Sequence, residues 1–356
     1  MIDVIVIGGG IAGISAAARL SAHAKTLLIE GESALGYHAS GRSAAVFEEN
    51  YGAPAVCALN RASASFYQDG GYLTPRGLMI LCKSGEDAAF ETDMAKLECD
   101  EISMQRARAL VPILSDQVTR AAYQTGAEDI DTDKLIQDFA RMHRSNGGEV
   151  VFNKRVTRLE KRANGWRVTC GTDQFDCAQV VNAAGAWADQ IADMAGLRPL
   201  GIVPHRRSMA RVPAPEGLDV TGWPIFFGPG ETWYAKPDAG KLLISPADED
   251  PVEPQDAWAD DMVLAEGIDR YQGYVRSEVT RLETSWAGLR SFAPDRCLVL
   301  GPDPSDPSFI WSAGQGGYGF STAPAASQLV ADLTLQRAPQ ISDDALAALT
   351  PDRLLA

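Results

Sequence analysis

Apolar positions and glycines follow each other in an informative order at the start of the chain. Residues 4–7 form an apolar run that predicts a buried strand, and a glycine-rich turn follows directly over residues 8–13. Small residues after the turn predict a helix, and a second apolar run over residues 26–29 ends at Glu30. The pattern therefore predicts a strand–turn–helix–strand unit with an acid at the end of its second strand.

The glycines of this unit have the spacing that a bound diphosphate requires. Gly8 permits the tight turn, Gly10 lets the backbone approach a pyrophosphate, and Gly13 lets the helix pack closely on the strand. The N-terminus of the helix adds unpaired N–H groups and the positive end of its dipole. Glu30 follows Gly8 by 22 residues, where a carboxylate accepts hydrogen bonds from ribose hydroxyls and repels a 2′-phosphate. The unit predicts a dinucleotide site and does not distinguish FAD from NAD. A glycine-rich turn without a ligand is the alternative.

The same order of elements returns near the other end of the chain. Residues 309–313 predict a buried strand, residues 314–319 a glycine-rich turn, and residues 323–335 a helix. Because one such domain would be built from both ends of the chain, we expect its sequence to be interrupted by insertions.

The middle of the chain changes from alternating helices and strands to a different pattern. A helix is predicted to start at residues 131–133, whose short side chains can cap it, and strands are predicted over residues 150–159 and 166–170. Proline and aromatic residues become frequent over residues 199–254, which is typical of antiparallel strands joined by turns. We therefore expect a second region built on an antiparallel sheet.

Composition narrows the classes of function. The chain has 356 residues, 46% of them hydrophobic, with a net charge of −15 and a pI of about 4.7. This charge argues against binding to nucleic acid or to anionic lipid through basic patches. Six cysteines without a C-x-x-C pair indicate free thiols in a reducing compartment, so we expect a cytoplasmic protein without a metal site. No apolar run approaches about 18 residues, so no transmembrane helix is expected.

A series of motifs extends this interpretation along nearly the whole chain. In order they are the N-terminal glycine motif, GYHASGRSAA (36–45), Tyr51-Gly52, GAEDIDTD (126–133), VNAAGAW (181–187), RPLG (198–201), HRRS (205–208), YAKPDAG (234–240), SPA (245–247), WAGLRSF (286–292) and GQGGYG (314–319). With these motifs the chain resembles the FAD-dependent D-amino-acid oxidase/dehydrogenase superfamily and, within it, bacterial D-arginine dehydrogenases. The resemblance implies FAD as the cofactor and an amino acid as the substrate. It also implies O2 or a quinone-type acceptor for the electrons.

The resemblance implies an α/β fold with two domains. A Rossmann-like FAD-binding domain would comprise residues 1–74, 129–197 and 287–356. An inserted antiparallel-sheet domain of residues 75–128 and 198–286 would bind the substrate.

The resemblance also assigns roles to individual residues. The positions that match cofactor contacts are Gly8, Gly10, Ile11, Ala12, Gly13, Glu30, Gly31, Ser40, Gly41, Arg42, Ser43, Ala44, Val156, Ala183, Gly185, Trp187, Gly288, Arg290, Gly314, Gly316, Gly317, Tyr318 and Gly319. On the substrate side, Arg290 and Tyr234 match a carboxylate clamp and Arg207 a second basic group. The Gly317 carbonyl matches a contact with the substrate amine, and Tyr51 a mobile lid.

The sequence departs from the D-arginine dehydrogenases where they recognise a cationic side chain. The acid that follows their Pro-Arg-x motif is Leu78 here. Phe47, Ile225 and Phe227 would add apolar area if they face the pocket. Alternatively, Glu48 or Glu49 would replace the missing charge.

These observations together predict oxidative deamination of a D-amino acid, with a preference for neutral or apolar side chains. One alternative is a secondary-amine oxidase that acts on glycine or sarcosine. Another is a flavoprotein subunit that is active only within a complex.

Overall fold

The computed structural model describes residues 2–355. In chain order its strands are β1 Ile2–Ile7, β2 Thr26–Ile29, β3 Val46–Phe47, β4 Leu73–Pro75, β5 Leu78–Lys83, β6 Asp100–Ile102, β7 Val118–Gln124, β8 Glu128–Ile130, β9 Glu149–Val151, β10 Arg158–Arg162, β11 Gly165–Cys170, β12 Asp173–Asn182, β13 Val203–Pro213, β14 Ile225–Phe227, β15 Tyr234–Asp238, β16 Lys241–Ser245, β17 Asp250–Pro251, β18 Thr284–Phe292, β19 Val299–Pro302 and β20 Phe309–Ala313.

The α-helices are α1 Ile11–Ser21, α2 Pro54–Gly70, α3 Asp87–Lys96, α4 Met104–Leu110, α5 Thr132–Ser145, α6 Ala188–Met194, α7 Asp261–Gln272, α8 Gly319–Thr334, α9 Asp343–Ala347 and α10 Asp352–Leu355. Short 3-10 helices span Ala39–Arg42, Gly185–Trp187 and Pro229–Glu231.

The first sheet is mainly parallel, in the order β9, β2, β1, β12 and β20, with β19 antiparallel at its edge. The hairpin of β10 and β11 pairs with the first half of β12. Helix α1 connects β1 to β2 and packs between α5 and α8, which its fully buried alanines (Ala16, Ala17 and Ala18) make possible. In register, Ile7 lies beside Asn182, which lies beside Trp311. The carboxyl ends of three neighbouring parallel strands therefore meet at one edge, where open α/β sheets bind ligands.

The second sheet is mostly antiparallel, in the order β17, β13, β16, β15, β14, β5, β7 and β6, and β18 also pairs with β13. Alternation along the strands gives the sheet two different faces. Phe226, Ala235 and Ile244 lie on one face, in a buried core beneath the aromatic rings of Trp233 and Tyr271. The alternate residues point the other way, towards the ends of the parallel strands.

The structure confirms the mixed α/β fold class. Of the three residues predicted to start α5, Asp131 caps it, because its side chain accepts a hydrogen bond from the Lys134 N–H at 2.9 Å. The division into the two sets of segments stays a prediction. We note that β18, a strand of the second sheet, runs through the predicted boundary between residues 286 and 287.

Two predicted elements have other bounds. The strand predicted over 150–159 is divided into β9 and β10, because the chain turns at Asn153, whose φ is +57°, and the Lys154 N–H donates to the Glu30 carbonyl. The helix predicted from residue 323 begins at Gly319 and contains Pro324. Proline cannot donate to the carbonyl four residues earlier, that of Phe320, and the Tyr67 hydroxyl donates to it instead. This side-chain donor allows α8 to begin a full turn earlier.

Candidate active site

A cleft runs across the edge where β1, β12 and β20 end. Its first part has a cavity volume of about 220 Å³. The predicted cofactor residues that line it are Gly8, Gly10, Glu30, Gly31, Ser40, Arg42, Val156, Ala183, Gly185, Trp187 and Gly288. These residues are far apart in sequence and are brought together by the parallel strand order.

The Glu30 carboxylate is almost completely buried at the end of β2. It accepts hydrogen bonds from the Gly9 N–H at 2.5 Å and the Glu32 N–H at 2.7 Å. These bonds fix the carboxylate at the wall of the cleft. Since an ionised carboxylate has about four acceptor positions, two remain for ligand hydroxyls.

The second part of the cleft has a cavity volume of about 150 Å³ and continues from the first part past Gly10, Ser40 and Gly288. The predicted residues that line it are Gly10, Ile11, Ala12, Ser40, Arg42, Ser43, Ala44, Ala183, Gly185, Arg207, Tyr234, Gly288, Arg290, Gly316, Gly317 and Gly319. The predicted carboxylate clamp therefore lies in the same cavity as the glycine turn before α8.

Arg290 lies against this glycine turn. A Cβ placed on Gly317 would lie 3.0 Å from the Arg290 Cζ, so only a glycine leaves the guanidinium its position. Burial alone would lower the pKa of Arg290, but the Tyr51 and Tyr234 hydroxyls and the Glu231 carboxylate outweigh burial and raise it. The guanidinium is therefore a permanent cation in the cavity wall.

Arg207 adds a second guanidinium, and its side chain is almost completely buried. Its Nε donates to the Asp248 carbonyl at 2.9 Å and its Nη2 to Glu249 at 2.8 Å. Its Nη1 is buried and has no hydrogen-bond partner among the described residues. A buried N–H without a partner is costly, so it marks a position where a ligand acceptor would be stabilising.

Tyr51 lies close to Arg290 but lines neither part of the cleft, so its role as a lid stays a prediction. Its hydroxyl donates to Glu231 at 3.2 Å, and its ring centroid lies 5.4 Å from that of Tyr318. Burial and the Glu231 carboxylate raise the pKa of Tyr51, so its hydroxyl stays protonated. Sequence reasoning missed Glu231, although a signal is present, since it ends a Gly-Pro-Gly-Glu turn three residues before Tyr234.

Several predicted cofactor residues support the cleft without lining it. Gly13, Gly41, Gly314 and Tyr318 are among them. A Cβ on Gly13 would overlap the Gly8 carbonyl oxygen, which confirms the close packing of helix on strand.

Arg42 lines both parts of the cleft. Its guanidinium donates to the Ala257 and Ala287 carbonyls at 3.0 and 2.9 Å and pairs with Asp256. These contacts join the loop after β2 to the second sheet.

Three candidates for the recognition of the substrate side chain do not line the cleft. Phe47 packs against Tyr67, with ring centroids 5.1 Å apart, in the core beneath the first sheet. The buried Glu48 carboxylate accepts hydrogen bonds from the Asn50 N–H and the Gln124 side chain and does not line the cleft. Burial raises its pKa. Glu49 is exposed.

Leu78 lies in an apolar cluster beside the clamp. The cluster contains Ile80 and Phe227, and Ile225, Tyr51 and Tyr234 pack against it. In register, Leu78 lies beside Ile225, and Phe227 lies beside Tyr234. Apart from Gln124, its partner on β7, the position of the missing acid therefore has apolar neighbours.

The cleft also contains residues that the sequence did not single out. Lys154 and Arg155 line the cavity around Glu30, next to Val156, and Met209 lines the cavity that contains the clamp. Alternation along β13 could have identified Met209, because it follows Arg207 by two residues and points to the same face. The positions of Lys154 and Arg155 at the cleft depend on the turn at Asn153, which the sequence pattern did not predict.

Over residues 2–355, no group of three or more His, Cys, Asp or Glu side chains is placed to hold a metal ion. Within the same residues, none of the helices has the length and hydropathy to cross a bilayer. The six cysteines, which all lie in the described part of the chain, are unpaired.

Comparison with known proteins identifies the family. Residues 3–333 match the family described as FAD dependent oxidoreductase. The chain belongs to this family. It is 26% identical over 376 residues to a glycerol 3-phosphate dehydrogenase of Caloramator mitchellensis, with 96% of this chain and 75% of that protein covered.

Solved structures agree in fold over nearly the whole chain. Glycine oxidase from Geobacillus kaustophilus matches with a TM-score of 0.84 and 21% identity, covering 98% of each chain. L-alpha-glycerophosphate oxidase from Mycoplasma pneumoniae, with FAD bound, matches with a TM-score of 0.85 and 18% identity, covering 96% of each chain. Its membership of the family makes the protein an FAD-dependent oxidoreductase.

The residues present fit this cofactor. The cleft combines a buried acid, a glycine turn in which an added Cβ would collide with its neighbours, and the beginnings of α1 and α8. Glu30 and the segment 154–156 would hold the adenosine end. The glycine turns and the segment 40–44 would hold the diphosphate and the ring end.

Replacement of Gly13 by alanine is expected to abolish the retention of FAD, because the new Cβ would overlap the Gly8 carbonyl and displace the turn. FAD content per chain, measured from flavin absorbance after purification, checks this result. Gly222→Ala is the matched control, since a Cβ there meets no atom within 4 Å. A Gly13→Ala protein with wild-type FAD content would contradict the packing argument.

Proposed function

We propose that the enzyme oxidises the Cα–N bond of a D-amino acid with a neutral or apolar side chain. The product is an imino acid, which water hydrolyses to a 2-oxo acid and ammonia. The resemblance to D-arginine dehydrogenases supports an amino acid of D configuration. The observation that carries the proposal is the arrangement of Arg290 and Tyr234 beside the Gly317 backbone in one cavity.

The proposed clamp fixes the carboxylate of the substrate. A guanidinium binds a carboxylate through two parallel N–H bonds, and hydrogen bonds to charged groups are worth about 1.5–3 kcal/mol each. The Tyr234 hydroxyl and the unbonded Nη1 of Arg207 would add further donors. Three donors from three strands would define the orientation of Cα, and positioning accounts for much of the rate in such reactions.

FAD held in the cleft would supply the acceptor for the hydride of Cα. The Gly317 carbonyl would accept a hydrogen bond from the substrate amine. No side chain that lines the second part of the cleft is an evident general base. The substrate amine would therefore bind in its neutral form. The Tyr51 lid would exclude water above Arg290.

A secondary-amine oxidase acting on glycine or sarcosine is the second candidate. It is favoured by the position of Tyr51, which donates to Glu231 and packs against the apolar cluster of Leu78, where a larger substrate side chain would need room. The enzyme would then use the cavity with Tyr51 in this position. The D-amino acid proposal requires Tyr51 to move, so that the apolar cluster becomes accessible.

A panel of D-, L- and N-methyl amino acids, with glycine and glycerol 3-phosphate, tests the proposal. Each compound is assayed with O2 and with an artificial electron acceptor, which also separates oxidase from dehydrogenase activity. We expect turnover of neutral D-amino acids by the purified single chain. Turnover of L-amino acids or hydroxy compounds alone would refute the proposal, and activity only after addition of a partner would indicate a subunit of a complex.

A further inference from the structure

A buried lysine lies beneath the cleft and outside the clamp. Lys236 is two residues after Tyr234 on β15 and therefore points to the same face of the second sheet. It is only 8% exposed. Its Nζ donates to the Ala44 carbonyl at 2.7 Å. Ala44 lines the second part of the cleft. The bond therefore joins the second sheet to the segment 40–44, which would hold the ring end of FAD.

The lysine belongs to a cluster of three charged groups. Lys236 Nζ lies 2.8 Å from Asp129 Oδ1, and Asp129 Oδ2 accepts from Arg76 Nε at 2.8 Å and Nη2 at 2.5 Å. Arg76 Nη1 also donates to the Thr221 and Trp223 carbonyls at 2.7 and 2.9 Å. Asp129 itself pairs with Val46, two residues after Ala44, between β8 and β3. The segment is therefore held from two sides.

The cluster contains two cations and one carboxylate. Burial lowers the pKa of Lys236, and the Asp129 carboxylate acts against this effect. The next acid along β15, Asp238, is exposed and lies 3.6 Å from Arg211. One excess positive charge therefore remains beneath the Ala44 segment, in surroundings of low dielectric where a charge acts strongly.

We propose that Lys236 is a positioning residue that holds the Ala44 segment against the ring end of FAD and, with Arg76 and Asp129, favours the reduced, electron-rich cofactor. A positive charge near the ring stabilises the electrons that the cofactor gains. This inference requires bound FAD and no particular substrate. It can fail while the proposed function stands, and it can hold if the substrate is a different one.

The test uses the FAD-loaded enzyme and two readouts that need no substrate. The dissociation constant of FAD reports on the position of the segment. The ratio of reduced to oxidised cofactor, measured against a redox dye, reports on the charge. The variants are Lys236→Met, Lys236→Arg and Arg76→Gln. Lys241→Met is the control. Lys241 lies on the next strand, β16, with its Nζ 2.9 Å from Glu283 Oε1, and it does not line the cleft.

Lys236→Met removes both the hydrogen bond to Ala44 and the excess charge. We expect FAD to bind at least tenfold more weakly and the reduced fraction to fall about tenfold, which corresponds to about 30 mV for a two-electron couple. Lys236→Arg should retain both properties within threefold. Arg76→Gln should lower the reduced fraction as Lys236→Met does and change FAD affinity less, because Lys236 still holds Ala44.

The proposal is overturned if Lys236→Met matches Lys241→Met in both readouts. It is also overturned if Lys236→Arg is as impaired as Lys236→Met, since shape rather than charge and hydrogen bonding would then be responsible. If Lys236→Met does not fold, Arg76→Gln decides the electrostatic component. A wild-type reduced fraction in Arg76→Gln would exclude it.

Discussion

Replacement of Arg290 by alanine is expected to lower kcat/KM for the amino acid substrate by more than a hundredfold. The change removes both N–H donors and the cation that lies against Gly317. A hundredfold loss corresponds to about 2.7 kcal/mol of transition-state stabilisation, and a lost pair of charge-assisted hydrogen bonds, at about 1.5–3 kcal/mol each, exceeds it. Steady-state kinetics over a range of substrate concentrations would measure it.

The lysine variant separates charge from geometry at the same position. Arg290→Lys keeps the cation and loses the two parallel N–H bonds, so its loss is expected to be far smaller than that of Arg290→Ala. Arg281→Ala is the matched control, because the Arg281 side chain is 69% exposed and lies before β18. The Arg290 variants should also purify with FAD. If Arg290→Ala retains activity within threefold of wild type, Arg290 does not bind the carboxylate.

The features of the site that the sequence predicts are local in the chain. The glycine turn, its strand and Glu30 lie within 30 residues, and the turn requires glycine for backbone reasons alone. Overlap of a Gly13 Cβ with the Gly8 carbonyl shows how directly the spacing specifies the structure. Such motifs can be recognised in one sequence because their chemistry depends on few distant contacts.

The remaining features depend on strand register, which one sequence does not contain. Arg207 and Arg290 are predicted only through a resemblance, whereas their common cavity follows from the antiparallel pairing of β13 with β18. Glu231 approaches Tyr51 across 180 residues of sequence, and Lys236 approaches Ala44 across 192. No local pattern indicates either contact.

The two glutamates that follow the GRSAA stretch show that closeness in sequence does not establish closeness in the fold. Sequence proximity to the GRSAA stretch suggested that Glu48 or Glu49 could reach the substrate. The pairing of β3 with β8 places Glu48 beside Gln124, where its carboxylate is already hydrogen-bonded, and leaves Glu49 exposed. Charge near a motif in sequence is therefore a poor guide to charge in the site.

Neutral, apolar D-amino acids are expected to exceed D-arginine and D-lysine in kcat/KM by about a hundredfold or more. Leu78 lies in an apolar cluster with Ile80 and Phe227, and the nearest acid, Glu48, is already hydrogen-bonded to Gln124, which pairs with Leu78. An unpaired charge taken out of water costs several kcal/mol. Apolar side chains gain about 25 cal/mol for each Å² buried in the same place. Kinetics with D-leucine, D-phenylalanine, D-lysine and D-arginine would measure the difference.

Substitutions at three positions test the cause of this preference. Leu78→Glu restores an acid beside Ile225 and should raise the D-arginine to D-leucine ratio of kcat/KM at least tenfold, whereas Leu78→Met should leave it nearly unchanged. Glu48→Gln and Glu49→Gln should also leave the ratio unchanged, because Glu48 is bound to Gln124 and Glu49 is exposed. D-arginine as the best wild-type substrate would refute the apolar pocket. If Glu48→Gln then selectively removed D-arginine turnover, Glu48 would be the acid that binds the cationic side chain, and the lid would have to rearrange far enough to release it from Gln124.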